Sequence, residues 1–379
     1  MASAIDVMPR ELNRLARSWA AEMAERSILL EKRSMQTRFW CWSSMAVVLA
    51  TTGLAHAAAP AMPNPVATSY TSADKAAMKQ YVVYYADRIE QSTSSKAMVH
   101  ARRAILKPLR QKAITPSITF LDDYGTVVTS VLTPLLAHKN LALNTIITLA
   151  KIKDLSTQPA LQQGLESPIA AVRFWAARGL IGIEPELAQI GPAQHSAINR
   201  LKTALASETD PVVALEICKS IQAASPLPLD AAPLVADAIA RVIAPYAKAP
   251  PHNLDVAAEL ATSLTTFVKA GAVLTPDEKL KAMVTLADLT SYAAQYWQAG
   301  LLGYPQKLAA PEAVNACSTA MNALSNSTDF SIPTLTGTSS ATETLLKVNG
   351  LTGSQKQAGV LQKMFPKAPI PVRIAGATQ

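Results

Sequence analysis

Apolar residues recur at helical spacing from Asp74 onward, and short clusters of Pro, Ser, Thr or Gly interrupt the pattern at intervals. Several interruptions, such as Asp210-Pro211 and Thr275-Pro276, place a capping side chain before a proline, as is typical of the first turn of a helix. The only stretch with strand character, Tyr81–Tyr85, lies within a helical pattern. The sequence therefore predicts an all-α chain with helices at 74–91, 96–112, 123–137, 140–152, 158–165, 169–183, 194–206, 211–224, 231–246, 253–270, 276–298, 311–324, 342–348 and 354–365.

Two segments repeat one another. In Leu161–Ile183, a short helix ends at Leu165, Ser167-Pro168 turns the chain, and a second helix carries an apolar stripe. A second copy begins at Leu201, and its stripe is offset by 41 residues from the first. An offset of this size fits a repeat made of two helices. The residues predicted to pack between repeats are Val172, Ala176, Leu180, Val213, Ile217 and Ile221.

These copies resemble the HEAT-repeat family, whose second helix carries a Val-Arg-x-x-Ala-x-x-x-Leu pattern that here begins at Val172 and ends at Leu180. The resemblance implies a right-handed helical-hairpin solenoid of HEAT-like repeats over residues 74–324, used for binding protein partners. In the family, an Asp at the turn and the Arg of the second helix form ladders between units. Here one such rung remains, and it predicts an inter-repeat pair between Arg173 and Asp210.

The segment 35–57 has the features of a secretory signal peptide that begins at an internal methionine. Arg38 precedes an apolar run of 16 residues, and Ala55-His56-Ala57 supplies small residues at a cleavage site. A transmembrane anchor is the alternative, but a span needs about 20 apolar residues. We therefore expect export to the periplasm or the cell surface, with no integral membrane span after cleavage. Residues 1–34 are either an upstream-start artefact or a short cytoplasmic segment.

Two further regions flank the predicted solenoid. We expect residues 58–73 to form a linker and residues 325–379 a loosely ordered C-terminal region with short helices and a Pro-rich tail. Removing residues 1–57 leaves 28 basic and 22 acidic side chains. This mild excess suggests affinity for anionic surfaces at most, and export argues against a nucleic-acid partner. Cys218 and Cys317 remain, either as buried thiols or as one disulfide.

One segment of eleven residues carries five positive charges and no acid. It is either a solvated helix face or a contact for an anionic envelope polymer or an acidic partner. Its charged residues, which we name as candidates for anionic-partner binding, are Arg102, Arg103, Lys107, Arg110 and Lys112.

The sequence predicts no catalytic site, no metal site and no cofactor. The histidines after the signal segment have no metal-ligand spacing, and Ser72-Ala73-Asp74-Lys75 lacks the companion motifs of the penicillin-recognising enzymes. The function that follows is an exported, non-catalytic scaffold or protein-interaction module. An envelope-polymer or anionic-surface binder and an enzyme of unrecognised type stay open as alternatives.

Overall fold

The computed structural model describes residues 59–110, 115–371 and 374. The predicted segments 1–34 and 35–57, and Lys112, lie outside the described residues. In the described part the chain is helical and contains no β-strand beyond one isolated bridge between Ser354 and Gln357. The all-α prediction is confirmed.

Fourteen α-helices follow one another through the described ranges, with short 3-10 turns between some of them. Their bounds are α1 Ser72–Glu90, α2 Ser95–Leu106, α3 Ile118–Leu132, α4 Ala142–Ile152, α5 Gln158–Gly164, α6 Ala170–Leu187, α7 Gly191–Ser207, α8 Pro211–Gln222, α9 Ala232–Ile243, α10 Leu254–Lys269, α11 Pro276–Gln298, α12 Gln306–Ser325, α13 Ala341–Thr352 and α14 Val360–Met364.

The helices pack in consecutive pairs, from α1 with α2 to α11 with α12, and the pairs stack in chain order. The even-numbered helices α2 to α12 pack side by side and form one layer. The odd-numbered helices form the second layer. In this layer the 3-10 turn Leu155–Thr157 packs against both α3 and α5, and α13 packs against α11. This is the arrangement of a helical-hairpin solenoid, in which each pair shares its apolar faces with its neighbours. Its handedness remains a prediction.

Local signals set several helix starts. Thr275 and Glu278 form a reciprocal capping box before α11, whose bounds match the predicted 276–298. Asp210 caps α8 by accepting hydrogen bonds from the backbone N–H groups of Val212 and Val213. At α6 the N-cap is Ile169, whose N–H donates to Ser167 Oγ, so Ser167-Pro168 forms the turn that precedes the helix.

The core lies between the two layers and includes the whole predicted stripe. None of its six side chains is more than 2% exposed: Val172, Ala176, Leu180, Val213, Ile217 and Ile221. A glycine brings α6 close to its neighbours, because a Cβ on Gly179 would stand 2.6 Å from Leu161 Cδ2 and 2.9 Å from Ala150 Cβ. Helices α4 and α5 therefore pack directly against the backbone of α6 at this position.

The segment before α1, predicted to be a linker, packs against α3. Tyr70 lies with its ring centroid 5.8 Å from that of Phe120 and donates a hydrogen bond to the carbonyl of Asn64. Ser117 Oγ donates to the carbonyl of Ala67. These contacts attach residues 64–70 to the second hairpin.

The described part of the C-terminal region, for which the sequence predicts loose order with short helices, makes specific contacts with the solenoid. Side chains of α12 fix the following loop, since Ser318 Oγ donates to the carbonyl of Phe330 and Asn315 binds both backbone groups of Leu335. Helix α13 packs on α11, where Ser291 and Thr352 hydroxyls lie 3.1 Å apart. The backbone N–H of Ile374 donates to Gln295 Oε1.

Candidate functional site

The predicted basic segment spans the end of α2 and the 3-10 turn Lys107–Arg110. Arg103, Lys107 and Arg110 are exposed and Arg102 is half-buried, while Lys112 lies outside the described residues. Since α2 ends at Leu106, the segment is not one continuous α-helical face.

Arg102 points from α2 toward α4, where its Nη1 donates a hydrogen bond to Asn144 Oδ1 at 3.1 Å. Burial lowers the pKa of this guanidinium, and the neighbouring charges of Arg103 and Arg110 lower it further. The three arginines therefore lie close enough to repel one another.

A lysine that the sequence did not single out lies within reach of this charge. Lys151, on α4, has a pKa lowered first by burial and then by Arg102, Arg110, Arg178 and Arg103. Those groups come from α2, the following turn and α6, so three neighbouring helices of the even layer contribute to one positively charged area. No local motif could have indicated this, because Arg102 and Arg178 are far apart in the chain.

Aromatic rings lie among these charges. Phe174 and Trp175 on α6 meet edge to face, with ring centroids 5.9 Å apart. Lys151 Nζ lies 5.3 Å from the centroid of Trp175, and Arg178 Cζ lies 5.6 Å from it, which are cation–π distances. We refer to the resulting set as the cationic–aromatic surface; its members are Arg102, Arg103, Arg110, Lys151, Trp175 and Arg178.

Most of the basic side chains in this surface have no acidic ion-pair partner among the described residues. Of the basic residues in this surface, only Arg178 takes part in an ion pair between described residues, and its Nε lies 3.9 Å from Glu216 Oε1. Farther along the same layer the charges are paired, as in Lys219–Glu259 at 2.5 Å. Helices α2 and α4 therefore carry basic side chains of this surface that have no ion-pair partner among the described residues.

Arg173 forms an inter-repeat contact, but with a different acid from the one predicted. Its Nε and Nη2 donate to the two carboxylate oxygens of Glu208 at 2.6 and 2.8 Å, and its Nη1 donates to the carbonyl of Ser167. Asp210 does not pair with Arg173, because its carboxylate caps α8. The rung between the two repeats is Arg173–Glu208.

Glu208 is anchored from several directions. Its side chain is 2% exposed and also accepts hydrogen bonds from the backbone N–H groups of Thr209 and Asp210. Burial alone would raise the pKa of this carboxyl, but the hydrogen bonds and charge of Arg173, together with the backbone donors, hold it below its usual value. Glu208 is therefore a buried carboxylate that depends on Arg173.

The described residues that were considered for metal binding, catalysis or a disulfide have other partners or are buried in the core. No group of three or more His, Cys, Asp or Glu side chains in the described ranges is arranged to hold a metal ion. Lys75, of the Ser-x-x-Lys match, pairs with Asp123, and Ser72 is the first residue of α1, directly after the N-cap Thr71. Cys218 and Cys317 are free, fully buried thiols, and burial raises the pKa of each to about 12.

Among the described residues, no helix combines the length and the apolar character that crossing a membrane requires.

Comparison with known proteins agrees with the helical repeat. Residues 129–222 match the family model of HEAT repeats, a range that runs from the end of α3 to the end of α8 and contains Lys151, Trp175 and Arg178. No curated protein and no solved structure matches the chain. The resemblance seen in the sequence is confirmed for this range: residues 129–222 match HEAT repeats, and they lie within an all-α solenoid fold.

Proposed function

We propose that this chain is an exported, non-catalytic scaffold that binds a protein partner through the even-numbered layer of its solenoid. HEAT repeats typically mediate protein interactions, and a stack of helical hairpins offers extended surfaces for them. The observation that carries the proposal is the cationic–aromatic surface, where positive charge from three neighbouring helices has little acidic compensation.

Export rests on the sequence from Met35 to Ala57, which has the basic start, apolar run and small-residue cleavage site of a signal peptide. Cleavage after Ala57 would release the chain that contains all the described helices into the periplasm or onto the cell surface. A binder of anionic envelope polymers is the second candidate, because phosphate and sulfate groups would also be attracted by unpaired guanidinium groups.

One experiment in cells tests both parts of the proposal. A chain that starts at Met35 and carries a C-terminal tag is fitted with a photo-crosslinking residue at His100, an exposed position on α2. The tagged protein should appear in the envelope fraction with Ala58 at its N-terminus, and illumination should give a discrete protein adduct.

The matched control carries the same crosslinker at Thr203, an exposed position on α7 in the other layer. It should be exported equally and should give much less of that adduct. Retention in the cytosol with an intact N-terminus would contradict export. Equal adducts from both positions, or none from His100, would contradict binding through the even layer.

A further inference from the structure

We propose that the cationic–aromatic surface binds an extended acidic peptide segment of its protein partner, with carboxylates held by the arginines around Lys151 and an apolar side chain resting on Trp175. This inference rests on the proposed function and gives the partner a chemical character.

The charge argument begins with Lys151. It is partly buried and feels the charge of four arginines, and none of the ion pairs between described residues includes Lys151, Arg102, Arg103 or Arg110. Bringing like charges together in a partly desolvated place is unfavourable unless an anion binds there. Carboxylates are suitable anions, because a guanidinium can donate two parallel hydrogen bonds to each one.

The arrangement of the helices sets the length of the ligand. The surface crosses α2, α4 and α6, which pack side by side in the even layer. Neighbouring packed helices lie about 8–10 Å apart, so the three axes span about 20 Å. An extended chain advances about 3.3 Å per residue, and about six residues would therefore cover the surface.

The aromatic pair favours a peptide over a purely anionic polymer. Phe174 and Trp175 are only partly buried and lie beside the charged groups, so a bound chain would meet an apolar surface as well as cations. A peptide can offer both carboxylates and an apolar side chain, whereas a polyphosphate offers only the charge. Trp is also among the residue types enriched at the energetic centres of protein interfaces.

Binding is measured by fluorescence anisotropy with a labelled ten-residue peptide that contains six Glu and a central Phe, added to the purified chain from Ala58 onward. The affinity should fall by more than about tenfold between low and moderate salt, because the contacts are exposed charge pairs. Arg103→Glu and Lys151→Glu should each weaken binding by about tenfold or more, and Trp175→Leu by about fivefold.

Three controls keep the result specific. Lys248→Glu makes the same change in net charge at an exposed loop position and should leave the affinity within about twofold. A peptide with Gln in place of each Glu should not bind. The rate at which a lysine acylating reagent modifies Lys151, relative to exposed Lys153, should fall when the acidic peptide is bound.

Other outcomes overturn the inference. If polyphosphate or dextran sulfate displaces the peptide, binds more tightly and is indifferent to Trp175→Leu, the surface recognises an anionic polymer. If no probe binds, or if Lys248→Glu weakens binding as much as Arg103→Glu, the surface is not a site. A partner adduct at His100 with no peptide binding would leave the scaffold function in place and remove only the acidic-peptide inference.

Discussion

Replacing Leu180 with alanine should lower the free energy of unfolding by about 2–5 kcal/mol. Leu180 is 2% exposed and lies on α6, which packs against α4, α5, α7 and α8. Neighbours on several sides cannot all move into the space that the side chain leaves, so a cavity remains in addition to the lost burial. Chemical denaturation followed by circular dichroism measures the change.

The control is a leucine outside the core. Leu346 lies on α13 with 67% of its side chain exposed, and Leu346→Ala should change the free energy of unfolding by no more than about 0.5 kcal/mol. Equal effects of the two substitutions would mean that the stripe of α6 is not an interior surface between repeats.

Arg173→Ala should be comparably destabilising, by about 3–5 kcal/mol, because it leaves the buried carboxylate of Glu208 without its charged partner. The pair makes two hydrogen bonds of 2.6 and 2.8 Å, and the Glu208 side chain is 2% exposed. Water cannot readily replace the guanidinium at such a site. Chemical denaturation of Arg173→Ala gives the total cost.

A double-mutant cycle that combines Arg173→Ala with Glu208→Gln measures the interaction free energy of the two side chains separately from the other effects of Arg173→Ala. The coupling should exceed about 1 kcal/mol, whereas the exposed pair Arg200–Glu166, with side chains 57% and 64% exposed, should couple by about 0–1 kcal/mol. A coupling near zero for Arg173 and Glu208 would remove the rung between these repeats.

Local signals account for the part of the fold that the sequence predicted well. The capping box Thr275–Glu278 and Pro276 fix the start of α11, and its apolar pattern continues to Gln298. The apolar spacing of α6 and α8 correctly predicted which side chains are buried. Apolar residues on the side of a helix that faces its neighbours recur with the helical period, so the sequence alone shows them. These features depend on residues within one or two helical turns of one another.

The contacts that the sequence did not predict have a different physical origin. Asp210 and Glu208 stand two residues apart in one turn, and the sequence could not show that the backbone N–H groups of α8 would take the carboxylate of Asp210 and leave Glu208 for Arg173. In the C-terminal region the loop after α12 is held by side-chain amide and hydroxyl groups, such as those of Asn315 and Ser318. Contacts of this kind have no hydrophobic period.

The candidate site was predicted only in part, for a similar reason. The charge run at the end of α2 was visible, because its residues are adjacent in the sequence. Lys151, Trp175 and Arg178 join it only through the packing of α2, α4 and α6 in one layer. The predicted contact for an anionic partner thus gains an aromatic component and a partly buried lysine that no single segment contains.

Hydrogen exchange of the Leu180→Ala protein tests the stacked-hairpin architecture most directly. In a solenoid each repeat is stabilised by its neighbours, so loss of amide protection should be largest in α4 to α8, which contact α6, and should fade toward α12 and α13, which are several hairpins away. A graded loss of this kind is the predicted result. Protection lost equally in α6 and α12 would indicate a single undivided core and would contradict the solenoid.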